Sequence, residues 1–496
     1  MITLRSRLGR AAVGLLAAVT LAGCAQVVDG TPRAGSAPDA HLSIRGSNGG
    51  AFDVQAANAL SDVEAFWRAT YPSVSNGKPL PPLKGSLYSI DGARVLATRT
   101  IPAYAKHEGC LHKQPSFIID NAAYCELDDS ILWDRSPGHL LPALAKRFGT
   151  TVVALVFAHE FGHAIQQRLG INKRNLQTIY LESQADCAAG AFIAWAMEGH
   201  APHFHVTQAD LDRALDGYLL IRDSTPESPT DISHGNGFDR LNALQDGITH
   251  GATYCYSAHY FASRNFTERG FIPDTQDQAD QGNEPLSAVL DPTTPSKTNT
   301  AAGGLQPDLD RFWTAAGKTI GKTFQPVSFT EADHPACGSA SASSQFGYCP
   351  DDNTVYYSSA IAKTAYYSMT DLAVSQSNGD VSVANGQPGD FALGQLISIA
   401  WGMAAEHQFF GRSVTDRKGL LAAVCYAGAY AQNINHEIDP NGPANQFVLS
   451  PPDMDEATSA TLNLVPLNEV FGRRGTSGLE RIHEFVTGYA GGLSSC

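Results

Sequence analysis

The chain is short of positive charge. Lys and Arg number 34 against 49 Asp and Glu, a net −15 over 496 residues. No overall basic field exists to gather phosphates, so nucleic-acid binding is set aside. Long apolar runs are also missing: the stretch from Ala11 to Leu21 is too short to span a bilayer, and no second one is long enough to do so. With 43% hydrophobic and 17% charged residues, global disorder and fibrous repeats are excluded, and length alone allows roughly two to four domains.

What is present begins with a leader pattern. Arg5, Arg7 and Arg10 precede the apolar run, which ends in Leu21-Ala22-Gly23-Cys24. That ending resembles a bacterial lipobox, so residues 1–23 are expected to be a lipoprotein signal peptide and Cys24 the acylated anchor. Processing would leave 31 basic residues against 49 acidic, about −18. Attachment to the outer face of the cell membrane would rest on the acyl chains, two or more of which suffice. Residues 24–50 read as a flexible, lipid-anchored stalk.

Eight further cysteines remain, an even number that suits an exported protein. They fall in the same order in two halves that match at offsets of 224 to 246 residues. Phe66-Trp67 matches Phe312-Trp313, and Tyr124-Cys125 matches Tyr348-Cys349. Cys187-Ala188-Ala189-Gly190 matches Cys425-Tyr426-Ala427-Gly428, and Arg240 through Cys255 matches Arg481 through Cys496. The economical pairing is Cys110 with Cys125, Cys187 with Cys255, Cys337 with Cys349, and Cys425 with Cys496. Each bridge contributes about 3–4 kcal/mol by loop entropy. An internally duplicated chain follows, with one unit over 51–272, a linker over 273–304 and a second unit over 305–496.

The first half carries the chemistry. Thr151 to Leu169 reads as a helix with Val152, Leu155, Val156, His159 and His163 on one stripe, and Gly170 stops it. His159-Glu160-Phe161-Gly162-His163 is HExxH, two imidazoles one turn apart on an inward face, as a shared metal requires. A second helical pattern, Leu176 to Met197, brings Glu182 back as a third ligand. Asp186, one turn further, is placed to accept the spare N–H of a ligand histidine, with His159 the candidate. Two histidines, a carboxylate and a water make an open zinc site, with one Zn2+ per chain. Glu160 is the general base for amide hydrolysis. His234 is the candidate oxyanion donor, with Tyr180 and Tyr124 as fallbacks. The segment Asp128 to Trp133 is the candidate sheet edge for an extended peptide.

At HEFGH, Leu181 to Cys187 and the flanking cysteines, the sequence resembles the bacterial neutral zinc metallopeptidases of the gluzincin type. Taken over its length it resembles mycobacterial-type lipoprotein peptidases. The resemblance implies an α+β, helix-rich, zincin-like fold with small sheets, zinc on His159, His163 and Glu182, and Glu160 as base. Leu181 departs from the Asn that many gluzincins have before the third ligand. In the second half the preceding helices align through Ala158 and Ala400. That register sets Trp401, Gly402 and Ala405 opposite the motif, with Leu420 and Val424 opposite Glu182 and Asp186 and Gly475 opposite His234. This half is expected to be a metal-free pseudo-peptidase repeat. The functional expectation is a membrane-anchored peptidase acting on proteins or peptides of the cell envelope, with the second half positioning substrate or an envelope partner. The alternative is a non-catalytic envelope scaffold with a structural zinc.

Overall fold

The computed structural model describes residues 37–222, 234–264, 266–267, 284–291, 304–332, 337, 346–368, 372–377, 380–385, 389–413, 416–435, 449, 452–464 and 475–496. The leader, Cys24 and most of the expected linker lie outside them. The architecture is α+β, helix-rich with small mixed sheets. Among the described residues no helix is long and apolar enough to cross a membrane.

The first unit is built around five long helices: α1 (Ala51–Val74), α2 (Thr150–Leu169), α3 (Thr178–Met197), α4 (Gln208–Leu219) and α5 (Gly237–Cys255). Helix α2 is the hub. It stops at Gly170, whose φ of 71° turns its N–H back onto the carbonyls of Gln166 and Gln167. The expected one-sided stripe is exceeded, because every residue from Thr151 to His159 is buried. Helices α1, α3 and α4 and the sheet surround α2, so after Thr150 and Thr151 its polar residues appear only from His159 onward.

The sheet contains β1 (Ile44–Arg45), β2 (Leu87–Ile90), β3 (Ala122–Cys125) and β4 (Ser130–Asp134), in the order β1-β2-β4-β3. Strand β4 pairs parallel with β2 and antiparallel with β3. The segment from Asp128 to Trp133 is therefore not the edge. Ile131, Leu132 and Trp133 are fully buried, and so apolar a strand is stable only with neighbours on both sides. The edge is β3. The stalk boundary also moves, since residues before 50 already join the fold. Ile44 and Arg45 pair with β2, and Ala40 donates its N–H to Asn58.

The second unit has β5 (Ser328–Glu331), β6 (Phe346–Cys349) and β7 (Thr354–Tyr357) in the order β5-β7-β6. Its helices include α6 (Leu286–Leu290), α7 (Leu305–Thr319), α8 (Asp390–Phe410), α9 (Arg417–Ile434), α10 (Asp453–Leu462) and α11 (Gly478–Gly491). Helix α6 falls inside the expected linker, yet Gln306 donates to the carbonyl of Val289 on it, and Ala288 and Val289 are buried.

All four disulfides join the expected partners. Two of them clamp helix pairs that touch through glycine. A Cβ on Gly247 would lie 1.8 Å from the carbonyl of Cys187, and one on Gly190 2.0 Å from that of Leu244. In the α9–α11 pair, Gly488 stands in the same relation to Cys425 at 1.8 Å and Gly428 to Phe485 at 2.1 Å. A third contact corrects the register. Gly162 of α2 sits on Ala185 of α3, and Gly402 of α8 sits on Ala423 of α9. Superposed on that contact, Ile399, Ala400 and Met403 stand opposite His159, Glu160 and His163, two residues from the alignment through Ala158 and Ala400. The flanking alanines carry no phase, whereas a glycine at a helix crossing does. All three residues are still non-ligating.

The units share a buried border. Asp455 of α10 accepts from Arg222 Nε at 2.8 Å and from the N–H of Phe238 at 3.1 Å. Asp212 of α4 caps α11 through the N–H groups of Gly478 and Leu479.

Candidate metal centre

Helix α2 presents His159, Glu160 and His163, and α3 returns across it with Glu182 and Asp186. The crossing is close because Gly162 has no side chain: a Cβ there would be 3.0 Å from Ala185 Cα. Ala185 lies between the two acids, so both are held against the imidazoles.

The three expected ligands converge. His159 Nε2 lies 3.1 Å from His163 Nε2 and 3.1 Å from Glu182 Oε2, and His163 Nε2 is 3.4 Å from the same oxygen. Donors held about 2.0–2.2 Å from a tetrahedral ion are about 3.3–3.5 Å apart, so the spacing suits zinc.

The tautomers support the same conclusion. His159 Nδ1 is 2.6 Å from Asp186 Oδ1, and His163 Nδ1 is 2.9 Å from Gln166 Oε1. Gln166 is oriented by donating its amide N–H to the carbonyl of Leu181 at 2.6 Å, so its oxygen must accept from His163. Both rings thus donate from Nδ1 and turn bare Nε2 lone pairs toward each other and toward a carboxylate. Such a group is stable only with a proton or a metal ion among the three. Burial opposes charge on His159, but Asp186 and Glu182 outweigh it and raise its pKa to about 10. Burial likewise opposes ionisation of Glu182, yet His163 and His159 hold it well below the usual carboxylate range. The pocket demands positive charge.

Asp186 accepts from His159, as expected, and is fully buried. Three partners that sequence reasoning missed complete this shell. Arg240 grips Asp186 through Nε at 3.0 Å and Nη2 at 2.9 Å, and Tyr218 also donates to it. Gln166 is the third. It stands three residues after His163 on one helical face, a spacing that the sequence did offer. Arg240 was visible only as a repeat match, without a role.

Glu160 lines a cleft of 570 Å³ together with His159, His163 and Glu182. Its Oε2 accepts the main-chain N–H of Tyr124 at 2.8 Å, which ties Glu160 to edge strand β3. Burial raises its pKa above the ordinary value, against the pull of His159 and His163, which moves a carboxylate toward the range useful to a general base. His234 lines the same cleft and is exposed at its rim. Of the fallback donors, Tyr124 lines the cleft and Tyr180 does not. The Tyr124 hydroxyl is taken by Asp129 and Gln167, and the Tyr180 ring packs edge-on against Phe266 and Phe261. Ala122 and Ala123 of β3 form the cleft wall on one side, Ile221 and Arg222 on the other.

No family model, curated protein or solved structure matches this chain. The functional reading therefore stands on the residues and their geometry.

Proposed function

We propose that this chain is a zinc-dependent peptidase of the cell envelope, anchored through Cys24, with a zincin-like catalytic unit and a duplicated second unit that has lost the ligands. The observation that carries the proposal is the convergence of His159 Nε2, His163 Nε2 and Glu182 Oε2 within 3.1–3.4 Å, beside Glu160, in a cleft. His159, His163 and Glu182 would hold the metal. Zinc bound there supplies a Lewis acid and lowers the pKa of its water to about 7. Asp186 holds His159 in its Nδ1–H tautomer and is itself held by Arg240 and Tyr218. Glu160 takes the proton from the attacking water and passes it to the leaving amine, so one peptide bond and one water become a carboxylate and an amine. His234 at the rim is the candidate hydrogen-bond donor to the developing oxyanion, and β3 is the edge beside which an extended substrate lies. Protein or peptide is the substrate class.

The rival reading is an envelope scaffold with a structural zinc, favoured by the tightly packed second unit, where Ile399, Ala400 and Met403 replace the motif. Zinc stoichiometry and hydrolysis of an unstructured protein by wild type and by Glu160→Gln separate the two. One zinc per chain with hydrolysis abolished in the variant supports the peptidase; a fully active Glu160→Gln rules out its mechanism.

A further inference from the structure

The second unit contains a group of three acids that the peptidase reading does not use. Asp390 opens α8, and Asp453 and Glu456 lie in the first turn of α10. They are 2–3% exposed, and one carboxylate oxygen from each lies within 4.8 Å of the others. Main-chain N–H groups reach two of the three. Glu456 Oε2 accepts the N–H of Phe391 and Asp390 Oδ2 that of Glu284, each at 2.9 Å. Asp390 Oδ1, buried in the same place, has no hydrogen-bond donor among the described residues.

A contrasting group in the first unit shows what a self-sufficient cluster looks like. Asp134 there accepts from Gly92, Ser136 and Asp120 main-chain N–H groups and from His139. Around Glu456, Asp390 and Asp453 add charges of its own sign. Burial, then Asp390 and Asp453, push its carboxyl well above the ordinary range.

We infer that Asp390, Asp453 and Glu456 form a binding site for a calcium ion. All three donors are oxygens, which selects a hard cation over zinc. Three oxygens within 4.8 Å of one another are close enough to bind one ion at about 2.4 Å. Magnesium keeps several of its waters, and so buried a site suits it less. The ion cancels repulsion among the three acids and gives Asp390 Oδ1 a partner. It ties the start of α8 to the start of α10, the helix whose Asp455 holds Arg222 and the N–H of Phe238 in the first unit. The role is structural and independent of the zinc centre.

The test is thermal unfolding of the full chain at a fixed saturating zinc concentration, with and without 100-fold excess of calcium over its Kd, and with magnesium as comparison. A rise in Tm of about 3 °C or more is expected with calcium, retained in Glu182→Gln and lost in Asp390→Asn and Glu456→Gln. Where a variant fails to fold, terbium luminescence on the wild-type chain reads the same site, and calcium should displace the terbium. No calcium-dependent shift and no displaceable terbium in the wild type overturns the inference. So does a shift that survives both substitutions or disappears in Glu182→Gln.

Discussion

Substituting Asp186→Asn tests the shell behind the metal ligands while leaving the ligands themselves intact. The side chain is fully buried and receives hydrogen bonds from His159, Tyr218 and twice from Arg240. The amide preserves shape but removes the charge and presents N–H to at least one donor. Two effects follow. Arg240 becomes a buried cation without its anion, which costs about 3 kcal/mol of stability. His159 loses the acceptor that holds its tautomer, and second-shell losses of this kind weaken metal binding about 10- to 100-fold, or about 1.4–2.7 kcal/mol. The second unit indicates which role dominates. Val424 stands opposite Asp186, and Arg481, opposite Arg240, bonds instead to the carbonyls of Thr461, Leu462 and Thr476. The acid is absent where the imidazoles are absent while the arginine stays, which links the acid to His159. Chelator competition gives zinc affinity, and unfolding of the metal-free chain gives stability. An Asp186→Asn chain that folds and binds zinc as tightly as wild type would refute the reasoning.

Gly247→Ala drives a methyl group toward the carbonyl of Cys187, 1.8 Å from the ideal Cβ, and is expected to lower stability by about 2–3 kcal/mol; Gly251→Ala, with open space around it, controls for a general effect of alanine but carries its own positive-φ strain. Asp455→Ala removes the acid shared by Arg222 and the N–H of Phe238 and should cost about 3 kcal/mol or more, with calorimetry resolving two transitions in place of one. Asp216 has its pKa raised to about 6 by burial. The folded state then holds a proton that the unfolded state releases near pH 4, so this group's contribution to stability is best below pH 4 and falls as the pH rises to about 6. Asp216→Asn should flatten that part of the stability profile, measured by urea unfolding between pH 4 and 7.

The primary site was legible because it is local. His159, Glu160 and His163 share a turn, Gly170 ends their helix, and Glu182 and Asp186 share the next, so periodicity and caps were enough. The four disulfides followed from cysteine order repeated in two halves. Arg240 and Tyr218 come from two other helices and meet Asp186 only through tertiary packing, which no spacing encodes. The edge strand was misassigned for a similar reason: β3 and β4 are adjacent in sequence and both apolar, and only the parallel partner β2, forty residues earlier, decides which is interior. The register of α8 was missed because an apolar helix buried on all sides has no stripe, and Gly402 set against Ala423 is a contact between helices. The stalk and linker boundaries shifted because Ala, Gly and Pro content marks a loop but does not say whether it packs.

The central claim is one ion held by two imidazoles and one carboxylate, with a position left for solvent. Zinc-edge X-ray absorption on the zinc-loaded full chain measures that coordination directly. The expected result is one zinc per chain with two imidazole nitrogens and oxygen neighbours at about 2.0–2.2 Å. Failure to retain zinc, a sulfur shell at about 2.3 Å, or a third imidazole in the coordination sphere would contradict the account.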